Sequence, residues 1–226
     1  MKNVSDPRIC ISIGASGYSA CCSMVRSSAM VELRLDLMQL DLEQVGQLLR
    51  YPAPAVATCR RGKLGDAERL QQLQFAVRHG AAYVDVEVEA DDAYRSELVE
   101  LAKRCGCKVI VSYHNFEQTP GAPEMRRVVA DCRSMGADVV KLVTTARSAN
   151  DCARVLSLYE GEENLVAFAM GSAGRITRVA CLYLGAPFTY ASPEPGMEAA
   201  PGQMAAERMS AIFRQLDDSI DRPSNH

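Results

Sequence analysis

Short runs rich in β-branched residues alternate along the whole chain with longer segments whose apolar positions recur at helical spacing. The strand runs are ICISIG, MVELRLDLM, AVATC, AYVDVEVE, KVIVSYH, DVVKLVTT, LVAFAM and PFTYAS, eight in all. Between them the pattern predicts helices over stretches such as DAERLQQLQFAVRHG, DAYRSELVELAKRCG, EMRRVVADCRSMGA and GRITRVACLYLG. Several of these end at a glycine, the residue that most readily takes the left-handed backbone of a helix stop. A longer segment, roughly GQMAAERMSAIFRQLDDSI, predicts a closing helix, and DRPSNH after it a frayed tail. No linker rich in Pro, Gly or Ser and no charge block interrupts the alternation, so residues 1–226 are read as one domain.

Eight β/α repeats in 226 residues fall near the short end of the range for a parallel barrel, in which each strand feeds a right-handed crossover helix. The fold class expected is α/β, a single-domain (β/α)8 TIM barrel. The alternative is an open doubly wound sheet, whose mark is a glycine-rich turn after the first strand; Gly14-Ala15-Ser16-Gly17 imitates it weakly.

Composition narrows the partners. The net charge is −3 with acids and bases interspersed, and there is no basic stripe or aromatic ladder, which argues against nucleic acid. The start MKNVSDPRIC has no leader pattern and no uncharged apolar stretch approaches membrane-spanning length, so a cytoplasmic protein without a membrane partner is expected. The nine cysteines are scattered, with Cys21-Cys22 adjacent and Cys105-x-Cys107 too close for a zinc knuckle. They read as reduced, mostly buried small hydrophobes rather than a disulfide or metal framework.

In a parallel barrel the chemistry lies at the C-terminal ends of the strands, so ionisable residues there carry the functional signal. Arg60, Glu87, His114 and Lys141 sit at the ends of four consecutive strand runs at a constant spacing of 27, which places them at one level of one ring. Side chains alternate along a strand, so Glu32 shares a face with Arg34, Asp85 with Glu87, and Ser112 with His114. So many ionisable groups are costly to bury without a purpose, although a salt-bridged interior is the plain alternative, strongest for Arg34 and Asp85. Lys141 lies in the largely apolar ADVVKLVTT. Desolvation and a cationic neighbour such as Arg60 there favour the neutral amine, which can attack a carbonyl to form an electron-withdrawing imine. The plain alternative is a lysine snorkelling to the surface. His114 is the only one of three histidines inside a strand run; it can shuttle protons with Glu87 fixing its tautomer, or be a hydrogen-bonded core histidine. GSAGR with Arg178 behind it points to an anion site, carboxylate or phosphate. No two histidines lie at metal-ligand spacing, so no metal is expected.

With these residues in view, the chain resembles the type I 3-dehydroquinate dehydratases. VELRLD resembles the family's Glu-x-Arg-x-Asp strand, ATCR its Thr-x-Arg, YVDVEVE its Asp-x-Glu strand, VSYHNF its Ser-x-His-Asp/Asn-Phe and ADVVKL its Schiff-base lysine strand. AMGSAGRITR is similar to its segment leading to a carboxylate-binding arginine, and AAPGQM to its Pro-Gly-Gln lid. The resemblance implies Lys141 as the imine-forming residue, His114 as general acid/base and Glu87 as its orienting partner. It implies Arg178 on the substrate carboxylate, Glu32, Arg34 and Arg60 on the ring hydroxyls, Gln203 reaching in from the lid, and Ser12 as a further contact. It also implies a cofactor-free hydro-lyase, converting 3-dehydroquinate into 3-dehydroshikimate and water as the third step of chorismate and aromatic amino acid biosynthesis, and a homodimer. Two positions depart from the family pattern: Ala199 stands where a serine is frequent, and the loop RRGKLGD lacks the usual Glu-Gly-Gly. A barrel class I aldolase shares the lysine chemistry but commonly takes phosphorylated sugars, and a non-catalytic binding barrel is a third reading that an intact Lys141, His114 and Glu87 set disfavours.

Overall fold

The computed structural model describes residues 6–220; the tail DRPSNH lies outside them. Eight strands alternate with eight helices. They run β1 (Ile9–Ile13), α1 (Tyr18–Ser27), β2 (Met30–Arg34), α2 (Leu42–Leu49), β3 (Ala55–Thr58), α3 (Asp66–Arg78), β4 (Tyr83–Glu87) and α4 (Asp92–Cys105). The second half follows as β5 (Lys108–His114), α5 (Ala122–Ser134), β6 (Val139–Thr145), α6 (Ala149–Leu156), β7 (Leu165–Met170), α7 (Gly171–Tyr183), β8 (Thr189–Ala191) and α8 (Ala206–Ile220). The strands form one parallel sheet in the order β7-β6-β5-β4-β3-β2-β1-β8. This is the expected (β/α)8 barrel. It is nearly closed: among the described residues no ladder joins β7 to β8, and Phe168 and Tyr190 meet at that seam with ring centroids 6.1 Å apart.

Local signals account for the element boundaries. Asp41 and Ser148 each close a capping box at the start of α2 and α6, satisfying amide donors that a helix start leaves free. Gly106 stops α4 in left-handed backbone at φ +70, as the sequence predicts. Period-two alternation then divides the apolar residues between two cores. On β5 and β6, Val109, Val111, Val140 and Leu142 face the helices in the larger cluster, while Ile110, Val139 and Val143 face the barrel interior with Cys10, Val56 and Phe188.

The interior is apolar at its base and polar above. Two residues beyond Cys10, Met30, Val56, Tyr83, Ile110 and Val139 stand Ser12, Glu32, Thr58, Asp85, Ser112 and Lys141. Seven cysteines are buried, with Cys22 half-buried and Cys105 exposed, and all nine are free. No described helix is long and apolar enough to cross a membrane.

Candidate active site

The polar tier is one hydrogen-bonded network around Lys141, which is 5 % exposed. Its Nζ lies 3.3 Å from Glu32 Oε1 and 3.2 Å from Asp85 Oδ2. Glu32 also accepts from Ser12 Oγ at 2.6 Å and Thr58 Oγ1 at 3.0 Å. Asp85 accepts from Ser112 Oγ at 2.6 Å and pairs with Arg60 at 2.6 Å. Burial alone would raise both carboxyls, but the surrounding cations and hydroxyl donors outweigh it and hold both below their ordinary values.

Ladder register corrects the expectation of one level. Arg60, Glu87 and His114 follow Thr58, Asp85 and Ser112 by two residues on their strands. Lys141 is the ladder partner of Ser112, which pairs with Glu87 on its other side, whereas His114 pairs with Val143, so the lysine is in register with Glu87 and one inward-facing position short of His114. The ladder offset is 27 from Thr58 to Asp85, 25 from Glu87 to Ser112 and 29 from Ser112 to Lys141. The cation expected beside Lys141 is displaced too: Asp85 bonds both Arg60 and Lys141 and so stands between them.

Glu87 also differs from expectation. It accepts from Arg69 Nη2 at 2.6 Å and from the Arg61 amide at 3.3 Å, and no hydrogen bond links it to His114. Arg69, 2 % exposed, reaches in from α3 and also donates twice to the Cys59 carbonyl. The glutamate therefore pins the loop after β3 instead of the imidazole. Burial, then the charges of Arg60 and Lys141, drive the His114 pKa well below its ordinary 6.5, with Asp85 opposing. The ring is stacked near Phe116 at 6.0 Å.

Arg178 projects from α7, which lies unusually close to β7: a Cβ at Gly174 would stand 2.4 Å from the Ala169 carbonyl oxygen. The guanidinium is 1 % exposed, sits 4.3 Å from the Phe168 ring centroid and reaches only the Pro201 carbonyl, at 3.4 Å. Its Nε has no partner, no described carboxylate pairs with it, and burial lowers its pKa to about 10. A buried guanidinium without a carboxylate partner is chemically suited to receive an anion. Arg34, by contrast, is engaged twice by Asp36, at 3.0 and 2.7 Å.

The lid segment folds over this floor. Gln203 Nε2 donates to Ser12 Oγ at 3.2 Å, and its Oε1 accepts from the Ala199 amide at 2.8 Å. All nine residues expected at the site, Ser12, Glu32, Arg34, Arg60, Glu87, His114, Lys141, Arg178 and Gln203, line one cavity of about 710 Å³. The profile of the type I 3-dehydroquinase family matches residues 9–220. The chain belongs to that family. As a type I 3-dehydroquinase it is a hydro-lyase. It is 35 % identical over 219 residues to a 3-dehydroquinate dehydratase from Dehalococcoides mccartyi, covering 93 % of this chain and 96 % of the relative. A 3-dehydroquinate dehydratase from Pyrococcus abyssi is 37 % identical over 199 residues, 85 % of this chain and 89 % of its own. The crystal structure of the Aquifex aeolicus 3-dehydroquinate dehydratase superposes with a TM-score of 0.79 at 26 % identity, covering 92 % of this chain and 98 % of that one.

Several participants were not singled out as site residues from sequence. Asp85 and Ser112 were visible as inward-facing strand residues, but alternation does not say which neighbour they touch. Tyr190, whose ring centroid is 4.1 Å from Lys141 Nζ, gave no signal beyond an aromatic in a strand run. Arg69 reads as a solvent-facing helix residue in DAERLQQLQ, and only the tertiary fold turns it inward.

Proposed function

We propose that the chain dehydrates 3-dehydroquinate to 3-dehydroshikimate through an imine on Lys141. The observation that carries this reading is a buried lysine on the floor of a cavity that also presents a deprotonated-prone histidine and an unpaired buried arginine. Removing a proton beside an unactivated ketone is slow because the carbanion has no electron sink. Attack of the Lys141 nitrogen on the carbonyl carbon, with the oxygen leaving as water, creates a protonated C=N bond that supplies one.

His114, neutral at working pH, then takes the proton from the adjacent carbon, and the electron pair moves into the C=N bond to form an enamine. Return of that pair expels the β-hydroxyl, to which His114 returns the proton, releasing water. Hydrolysis of the conjugated imine restores Lys141 and consumes one water, so the net change is loss of one water from the substrate. No cofactor enters this scheme. Arg178 holds the substrate carboxylate, and Glu32, Arg34, Arg60, Ser12 and Gln203 address the ring hydroxyls. Asp85 and Glu32 hold the lysine extended and compensate the positive charge on its nitrogen. Glu87 acts at one remove, through Arg69 and the loop that carries Arg60.

The same reading places the protein in the cytoplasm as a homodimer serving the third step of chorismate and aromatic amino acid biosynthesis; sedimentation equilibrium checks the dimer. Purified protein given 3-dehydroquinate without any additive should develop the ultraviolet absorbance of a conjugated enone. Absence of that absorbance at saturating substrate contradicts the assignment.

A further inference from the structure

Besides its two carboxylates, the nitrogen of Lys141 has an aromatic neighbour. Tyr190, on β8, places its ring centroid 4.1 Å from Nζ. The tyrosine is 3 % exposed and is wedged by Phe168 and by Phe188, whose centroid is 5.6 Å away at 74°. Its hydroxyl is buried and has no hydrogen-bond partner. The part of this side chain that meets the Lys141 nitrogen is its ring.

The face of an aromatic ring attracts a cation and is indifferent to a neutral amine. On the imine reading of Lys141, on which this inference rests, the nitrogen must stay protonated after the C=N bond forms, because the neutral imine is a poor electron sink. We propose that the Tyr190 ring face holds the Lys141 imine in its protonated form through the proton-abstraction step. The other ionisable groups around this pair are Glu32, Asp85, Cys10, Arg60 and His114. The two carboxylates reinforce the ring, and Arg60 opposes it.

A volume-conserving series at position 190 tests this: Tyr190→Phe, then phenylalanine carrying one, two and three ring fluorines, which drain the ring face while hardly changing its size. Tyr190→Phe should keep kcat within about threefold of wild type, and the trifluorinated ring should fall about tenfold below phenylalanine, in steps that follow fluorine number. KM and the melting temperature should move little, and the alkaline limb of the kcat profile should shift to lower pH along the series. A flat series in kcat and in that limb overturns the role of the ring. Borohydride trapping of the wild type run alongside separates the two layers: an adduct on Lys141 with a flat series strikes only Tyr190, whereas no adduct on Lys141 removes the imine and this inference with it.

Discussion

Asp85 on β4 and Lys141 on β6 reach across the intervening strand to place a carboxylate oxygen and Nζ 3.2 Å apart, and Ser112 on that strand bonds the same carboxylate at 2.6 Å. A carboxylate so placed can offset the charge of an imine as it forms. Asp85→Asn keeps the Ser112 hydrogen bond but loses the charge that Lys141 and Arg60 share. Turnover should fall roughly a hundredfold, the order found when one preorganised electrostatic contact is removed. Steady-state kinetics at saturating 3-dehydroquinate decide it, and unchanged kcat would make Asp85 purely structural.

His114 should titrate below an ordinary histidine. Burial and then the charges of Arg60 and Lys141 disfavour its protonated form, so the imidazole stays neutral as pH falls past 6.5, the ordinary value, and protonates only at lower pH. The acid limb of kcat/KM, which reports the free enzyme, should therefore lie below that value. His114→Ala should cost between roughly a hundredfold and ten-thousandfold in kcat while still allowing borohydride to trap some imine. An acid limb above the ordinary histidine value contradicts the assigned environment.

Glu87 and Arg69 should prove more important to stability than to chemistry. Glu87→Ala leaves the buried Arg69 guanidinium without its 2.6 Å partner. Because Arg69 keeps Asp66 at 2.7 Å and the Cys59 carbonyl, the loss is that of one charged hydrogen bond, about 1.5–3 kcal/mol. Urea denaturation measures that loss, and the loop carrying Arg60 should become more sensitive to protease. Loss of turnover as large as in His114→Ala with stability unchanged would restore a direct role for Glu87 beside the imidazole.

The lid docks backbone to backbone, and Gly202 makes this possible. It adopts φ +76, and a Cβ there would lie 2.4 Å from the Gly171 carbonyl oxygen. Gly202→Ala should lift the lid off α7 and raise KM by more than Gln203→Ala, which should itself raise KM several-fold because a neutral hydrogen bond contributes about 0.5–1.5 kcal/mol. Lys141 should remain trappable in both at saturating substrate, and Ala199→Ser should be neutral or slightly tightening. An unchanged KM in Gly202→Ala would show that closure does not depend on this contact.

The barrel was legible because strand and helix periods alternate without interruption, and the site was legible because charged residues such as Lys141 and Glu32 interrupt runs that otherwise read as interior. What sequence could not supply was the vertical order. Equal spacing put Lys141 level with His114, whereas the β5–β6 ladder pairs it with Ser112, and its amine reaches Asp85. The partner of Glu87 was hidden for a different reason: Arg69 lies on a helix whose pattern reads as solvated, and its inward turn depends on where α3 packs. Tyr190 beneath the lysine was likewise a product of barrel closure, since β8 and β6 meet only when the ring curls round.

The most direct measurement is mass spectrometry after borohydride reduction in the presence of 3-dehydroquinate. Reduction should convert the imine into a stable amine, abolish activity and leave one substrate-derived adduct on the peptide containing Lys141. An adduct on Lys63 at the cavity mouth or on any other lysine, or full activity after reduction, would contradict Lys141 as the covalent catalyst.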